Sequence, residues 1–199
     1  MRLSDQRYEQ IKITIANFLE DYDVKTIPID VFEIAKQMRI KIVFASEILK
    51  KHPKKIDAYC LFKFPHSYLY YDNDAQQLII YIDDIGTKKK RQRFSLAHEL
   101  MHIILGHTEQ NETNEAEANF GATYLLAPTS LALARSNDER MFVPSKLEKI
   151  FDVSGSEAEI IARYNSNRVA LVDLKEKEYE KKINGLLIAS LDKRINKCH

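Results

Sequence analysis

The chain has 199 residues, of which 30 are Lys or Arg and 29 are Asp or Glu, so its formal net charge is +1. This balance excludes nucleic-acid binding through bulk charge, and no apolar run approaches the roughly 20 residues that span a bilayer. A hydrophobic content of 45% is enough for a packed core. The N-terminus has no apolar segment typical of a signal peptide, and Cys60 and Cys198 lack the spacing of metal ligands. We therefore expect a cytoplasmic protein with reduced thiols and no membrane association.

The N-terminal part of the chain is predicted to combine two helices with a small sheet. Residues 5–22 repeat apolar side chains with a helical period, and a second helix begins at Asp30 and runs to about Met38. Short segments rich in β-branched and aromatic residues follow, and we predict them as strands. These strands are residues 40–45, 58–64, 68–72 and 78–82, with turns at 65–67 and 72–74. Strands at this spacing favour a small antiparallel sheet that leads directly into the next helix.

A His-Glu-x-x-His pentad, His98 to His102, lies in a helix predicted between Thr87 and Gly106. Thr87 suits the N-cap, Gly106 suits the position after the last turn, and no proline interrupts the segment. In a helix the two histidines lie one turn apart on the same face, where both can bind one Zn²⁺. The helix is apolar nearly all round and therefore buried, and buried polar groups need a partner such as a metal. The sequence predicts His98 and His102 as zinc ligands and Glu99 as the general base of peptide hydrolysis.

A catalytic zinc site of this kind needs a third protein ligand. Three glutamates compete for that role in the next predicted helix, which begins at Glu112 and is ended by Pro128. Glu115 shares a helical face with small residues that would allow close approach to the pentad helix. Glu117 lies on the far side and has another role available, because Asn114 and Glu117 have the spacing of a capping box. Glu112 shares the inner face but falls in the loop or first turn. We predict Glu115 as the third ligand, with Glu112 and Glu117 as the alternatives.

Three further polar residues near the pentad each have two roles open to them. Asn119, four residues after Glu115, can accept a hydrogen bond from the outer nitrogen of a ligating histidine or be an ordinary helix-edge residue. His107 follows Gly106, and its position favours a loop histidine that bonds a helix C-terminal carbonyl over one that contacts substrate or metal. Tyr124 can stabilise an oxyanion, but packing is the favoured role.

The chain after residue 128 is predicted to be mainly helical. Residues 147–161 have the pattern of a helix, a short turn and a second helix, which is an arrangement that can read DNA. The second helix begins with Glu157 and Glu159, which would repel phosphates, so packing is favoured and direct DNA binding is not expected. Residues 169–172 look like a strand, and a charged helix ends the chain.

Three segments around the pentad resemble a known family. Residues 93–107 read RFSLAHELMHIILGH, residues 115–119 read EAEAN, and residues 125–128 read LLAP. Together they resemble the ImmA/IrrE family of metallo-endopeptidases, with a likeness that covers about residues 25–163. The pentad alone is shared by many zinc proteases, whereas its longer context with the downstream motif is far more specific. Met101 stands where the family commonly has Gly, and Ala127 where it has Met, but neither departure removes a ligand.

The resemblance implies a cytoplasmic zinc peptidase that cleaves a helix-turn-helix transcriptional repressor and thereby derepresses mobile-element, phage or stress genes. The family's third ligand falls on the first glutamate of the EAEAN motif, which is Glu115. We predict an α+β fold in which a small antiparallel sheet packs on a zincin-like pair of active-site helices. The peptidase domain would occupy residues 1–128 and a helical extension residues 129–199. The alternative function is an antirepressor that binds its target without cutting it and uses the metal only for structure.

Overall fold

The computed structural model describes residues 2–51, 67–170 and 175–197. Contacts divide the chain into two compact units, Val31–Leu100 and Met1–Asp30 with Met101–His199, so the division falls inside one continuous helix. The boundary expected at residue 128 stays a prediction. The elements in chain order are α1 (Asp5–Asp21), α2 (Val31–Gln37), β1 (Lys41–Phe44), α3 (Ala45–Lys51), β2 (Ser67–Asp72), β3 (Gln77–Ile82), α4 (Lys89–Ile104), α5 (Glu112–Leu126), α6 (Thr129–Ala134), a 3₁₀ turn (Glu139–Met141), α7 (Pro144–Phe151), α8 (Gly155–Ala170) and α9 (Glu178–Lys197).

The unit Val31–Leu100 contains a three-stranded sheet with the order β1-β3-β2. β2 and β3 form an antiparallel hairpin, but β1 pairs in parallel with β3, from Lys41 opposite Ile79 to Phe44 opposite Ile82. The sheet is therefore mixed, and the predicted all-antiparallel sheet was wrong. A parallel pair needs a crossover between its strands, and here α3 and β2 lie in that crossover. The strand predicted at residues 58–64 lies outside the described residues.

Local hydrogen bonds shape the hairpin and the entry to α3. The Asp72 carboxylate accepts the backbone N–H groups of Asp74 and Ala75, each at 3.0 Å, which confirms the predicted turn. Asp84 follows β3 and accepts both the backbone N–H and the hydroxyl of Ser46, at 2.9 and 2.6 Å. The first of these bonds satisfies a backbone N–H in the first turn of α3. Together the two bonds connect the start of α3 to the end of the central strand, β3.

The second unit is helical, and its core lies between α1 and the helices that follow α5. Ser4 caps α1 by accepting the Arg7 N–H at 3.2 Å. Charged side chains join α1 to α9, including Lys182 Nζ to Glu20 Oε2 at 2.6 Å. The Ile and Leu side chains that are 0% exposed in this unit bury apolar area worth about 1.5–3 kcal/mol each. They include Ile11, Ile15, Leu19, Leu131, Leu147, Ile150, Ile183, Leu187 and Leu191.

The mainly helical character predicted after residue 128 is confirmed for the part of the chain that the structure describes. Pro144 opens α7 at its first turn, where the missing N–H costs nothing, and Asp152 ends that helix with φ +52°. Residues 169 and 170 belong to α8, so the strand predicted at 169–172 was wrong for these two, and 171–172 lie outside the described residues. Within the described residues, no helix is long and apolar enough to cross a membrane.

Candidate metal centre

The pentad lies on α4, as its sequence context predicted. The helix begins at Lys89, two residues after the proposed cap Thr87, and ends at Ile104. Gly106 has φ +69°, and the His107 N–H donates to the His102 carbonyl at 2.9 Å while the Gly106 N–H donates to Ile103 at 3.1 Å. This pair of bonds is a Schellman motif, in which a residue with positive φ reverses the chain over the last turn. The reversal brings His107 back beside His102.

Three predicted site residues come together around the pentad. The candidate ligand atoms of His98, His102 and Glu115 all lie within 4.8 Å of one another. His102 Nε2 lies 3.5 Å from Glu115 Oε1, and the His102 side chain is 11% exposed whereas that of Glu115 is 45% exposed. Zinc–ligand bonds of about 2.0–2.1 Å in a tetrahedral site place ligand atoms roughly 3.3 Å apart. The donor set and its spacing therefore fit a zinc ion.

The other two glutamates of the third-ligand prediction lie elsewhere. Helix α5 begins at Glu112, which is exposed, and its N-cap is Asn111, whose side chain accepts the Asn114 N–H at 2.9 Å. The capping box predicted for Asn114 and Glu117 was therefore wrong, because the helix starts three residues earlier than that motif requires. Glu117 is instead buried, with 4% of its surface exposed.

Glu117 belongs to a chain of polar contacts that sequence reasoning missed. Arg7, on α1, donates a hydrogen bond from Nε to Glu117 Oε1 at 2.6 Å and a second one from Nη2 to Glu117 Oε2. Glu117 Oε2 lies 3.0 Å from His107 Nε2, and His107 Nδ1 lies 3.0 Å from His102 Nδ1. The Arg7 guanidinium and then His107 hold the pKa of the Glu117 carboxyl below its usual range, against the opposing effect of burial. Glu117 is therefore an ionised carboxylate.

The general-base candidate Glu99 is held by a residue of the sheet. Glu99 is 7% exposed, and the Ser67 hydroxyl donates to its Oε1 at 2.7 Å. Ser67 is the first residue of β2, and its hydroxyl is also 3.5 Å from the Ser95 carbonyl. Nothing in the local sequence signals this contact, because Ser67 and Glu99 are 32 residues apart. The bond fixes the position of one carboxylate oxygen.

Met101, in the last turn of α4, packs against Gly121 of α5. A Cβ atom on Gly121 would lie 2.7 Å from Met101 Cε and 3.0 Å from its Cγ. The Met101 side chain is 0% exposed and therefore fills the space over Gly121. The departure from the family's Gly at position 101 is accommodated because the facing residue of α5 has no side chain.

The two remaining candidates are not directed at the metal cluster. Asn119 is exposed, and the outer nitrogen of His102 contacts His107 instead. Tyr124 is 1% exposed, and its ring stacks on Phe120 with 6.0 Å between centroids. Burial raises the pKa of its phenol. Tyr124 is therefore a packing residue, which was the favoured role.

A comparison with known proteins identifies the family. The chain matches the model of the IrrE N-terminal-like domain, a peptidase family designated M78, over residues 35–160, which is more than half of its length. The match includes all of α4 and α5 and thus the whole cluster of His98, His102 and Glu115. A comparison with curated proteins gave no match. The resemblance seen in the sequence is confirmed, and the chain belongs to the IrrE N-terminal-like family of M78 peptidases.

Proposed function

We propose that the protein is a cytoplasmic zinc-dependent endopeptidase that cleaves a helix-turn-helix transcriptional repressor. The observation that carries the catalytic part is the convergence of ligand atoms within 4.8 Å, from His98 and His102 on α4 and from Glu115 on α5. The same pentad of α4 also supplies Glu99. Two imidazoles and one carboxylate are the donor set of hydrolytic zinc sites, which keep a fourth position open. The zincin-like pairing of α4 and α5 is part of this proposal.

Each residue then has a chemical task. His98, His102 and Glu115 would hold the metal, which when bound in such sites supplies Lewis acidity for activating water and polarising the peptide carbonyl. Glu99 accepts the proton of the attacking water and delivers it to the departing amine, so that the carboxylate is regenerated. Ser67 holds Glu99 Oε1 through a 2.7 Å hydrogen bond and so limits the orientations of the base.

The repressor substrate is supported by family membership. A protease that must act on one regulator needs binding energy beyond the scissile bond, and this energy has to come from a folded partner recognised outside the pentad. A small helix-turn-helix protein encoded beside this chain would be the first candidate for that partner.

The test is co-expression of that repressor with wild-type protein, with Glu99→Gln and with Glu112→Gln. Glu99→Gln keeps the size of the side chain and removes the base, so we expect retained zinc and loss of cleavage by at least about 100-fold. Glu112→Gln makes the same chemical change at an exposed position of α5, and we expect wild-type cleavage. A Glu99→Gln protein that cuts as fast as wild type contradicts the mechanism. A repressor that stays intact with zinc-loaded wild type, yet binds it, indicates an antirepressor.

A further inference from the structure

The imidazole of His102 faces a different partner at each nitrogen. Its Nε2 lies 3.5 Å from Glu115 Oε1 in the metal cluster, and its Nδ1 lies 3.0 Å from His107 Nδ1. The two rings meet edge to face, with centroids 5.0 Å apart and an interplanar angle of 74°. A neutral imidazole carries one proton, so the nitrogen that keeps it decides which nitrogen can bind a metal. His102 can offer Nε2 as a ligand only if its proton is on Nδ1.

The contact between the two Nδ1 atoms has room for one hydrogen. At 3.0 Å, one nitrogen must donate and the other must accept. If His102 donates, its Nε2 keeps a lone pair for the metal. If His107 donates, the proton of His102 is displaced to Nε2, and the ring presents an N–H to the metal cluster. The tautomer of His107 therefore determines whether His102 is a competent ligand.

Glu117 selects the tautomer of His107. Its Oε2 lies 3.0 Å from His107 Nε2, and an ionised carboxylate can only accept a hydrogen bond. Arg7 donates one hydrogen bond to each oxygen of the same carboxylate, which is the two-point pairing of a guanidinium with a carboxylate anion. Nε2 of His107 must therefore carry the proton, which leaves its Nδ1 as the acceptor for His102. The side chains of His107 and Glu117 are each 6% exposed, so water has little access to replace these bonds.

We propose that Arg7, Glu117 and His107 form a positioning chain that fixes the tautomer and orientation of His102, so that its Nε2 is presented as a metal ligand. The inference rests on the proposed function only in that His102 binds the metal, and it does not depend on the substrate. Partners of this kind commonly change metal affinity by about 10–100-fold. Here the partner is an imidazole whose own proton is placed by a salt bridge that reaches α1.

The direct test is two-bond ¹H–¹⁵N NMR of the histidine rings in the full-length protein, before and after addition of zinc. We expect His102 with its proton on Nδ1 and His107 with its proton on Nε2 in the wild type. Glu117→Gln keeps the shape of the side chain but can turn its amide N–H₂ toward His107, which permits the opposite tautomer. A wild-type His107 with its proton on Nδ1 in the metal-free protein overturns the inference.

Zinc affinity, measured by competition with a chelator, is the second readout. We expect Kd to rise by about 10–100-fold in Glu117→Gln and in His107→Phe, which keeps a ring in place but removes the acceptor. Glu109→Gln, an exposed change in the loop before α5, is the matched control with wild-type affinity. His107→Phe leaves the Arg7–Glu117 pair in place, so it serves if Glu117→Gln fails to fold.

The outcomes separate the two proposals. Equal zinc affinity of wild type and both variants overturns the positioning chain and leaves the proposed function standing. A role limited to holding the fold together would lower the melting temperature of the variants without changing the zinc affinity of the folded protein, and this too overturns the inference. Wild-type protein that binds no zinc contradicts both proposals. Wild-type protein that binds zinc with the expected tautomers, but leaves the repressor intact, contradicts the proposed function alone.

Discussion

The two sides of α5 carry carboxylates with different surroundings. Glu115 and Glu117 are two residues apart, so helical geometry places them on opposite sides. The Glu115 side chain is 45% exposed and its Oε1 lies 3.5 Å from His102 Nε2, whereas the Glu117 side chain is 6% exposed and paired with Arg7. Through His107, the buried carboxylate reaches the other nitrogen of the same imidazole. The candidate ligand Glu115 therefore lies near solvent, from which a substrate can enter. The charge of Glu117 is neutralised by Arg7 inside the protein.

The largest loss of zinc affinity should come from a substitution on the exposed side of α5. Glu115→Gln replaces the anionic oxygen donor by a weaker neutral one, and we expect zinc affinity to fall by more than about 100-fold, beyond the usual effect of a supporting residue. Glu112→Gln, one turn earlier on the same helix, should change it less than about twofold. Chelator competition on both variants gives the comparison. Equal losses would show that the carboxylate ligand is not confined to Glu115.

Ser67→Ala should affect the general base Glu99 without affecting the metal ligands. The variant removes the hydrogen bond to Glu99 Oε1, and a bond to a charged group is worth about 1.5–3 kcal/mol. We expect kcat for repressor cleavage to fall by about tenfold or more, with zinc affinity unchanged. Ser46→Ala, which removes a serine–carboxylate bond elsewhere in the same unit, is the control and should leave kcat unchanged. If Ser67→Ala lost zinc affinity by as large a factor as it lost kcat, Ser67 would not act through Glu99 alone.

Gly106→Ala tests the turn that carries His107. A residue with Cβ at φ +69° is strained by about 1–2 kcal/mol, although nothing lies within 4 Å of the added carbon. We expect this loss in the free energy of unfolding and a several-fold weaker zinc affinity, because the strain acts on the Schellman motif that sets His107 beside His102. Urea unfolding and chelator competition measure the two effects. Gly86→Ala, at φ +70° between β3 and α4, should show the destabilisation alone.

The smallest expected effect is on stability, at Glu9, which lies on α1 as Arg7 does. Burial opposes the ionisation of Glu9, but hydrogen bonds from Lys12, Lys177 and Tyr179 outweigh it and lower the pKa of this carboxyl to about 2. Since its usual pKa is 4.5, the stabilisation is present above about pH 4.5 and lost as the pH falls toward 2. Glu9→Gln should cost about 1 kcal/mol at pH 7, because the group is partly exposed and screened.

Urea unfolding of wild type and Glu9→Gln at pH 7 and pH 3 gives the check. The difference in unfolding free energy should shrink at the lower pH, and zinc affinity at pH 7 should be the same in both proteins. A difference that is constant with pH would show that packing, and not charge, is the contribution of Glu9.

The sequence could predict those parts of the molecule whose cause is local. The amphipathic period of α1, the turn at Asp72 and the glycine after α4 each act within a few residues, and each was predicted. Helical spacing also placed Glu115 on the face toward the pentad. His107 was within reach of the same reasoning, because a Schellman motif at Gly106 folds the next residue back over His102.

The remaining features depend on contacts between distant parts of the chain. Arg7 and Glu117 are 110 residues apart, and no spacing rule connects them. The parallel pairing of β1 with β3 follows from the path of the chain between them, since strand composition does not encode direction. The helix predicted from Glu112 does begin there, but its cap was misplaced, because Asn111 and Asn114 are both good caps and only the hydrogen bond to Asn111 distinguishes them.

X-ray diffraction at the zinc absorption edge, on crystals of the zinc-loaded protein, can locate the metal and identify its ligands. We expect one strong anomalous peak per chain, within bonding distance of His98, His102 Nε2 and Glu115. His107 should be hydrogen-bonded to His102 Nδ1 and lie outside the ligand set. A peak bound by Glu117 or His107, or no peak near the pentad in protein that cleaves its repressor, would contradict it.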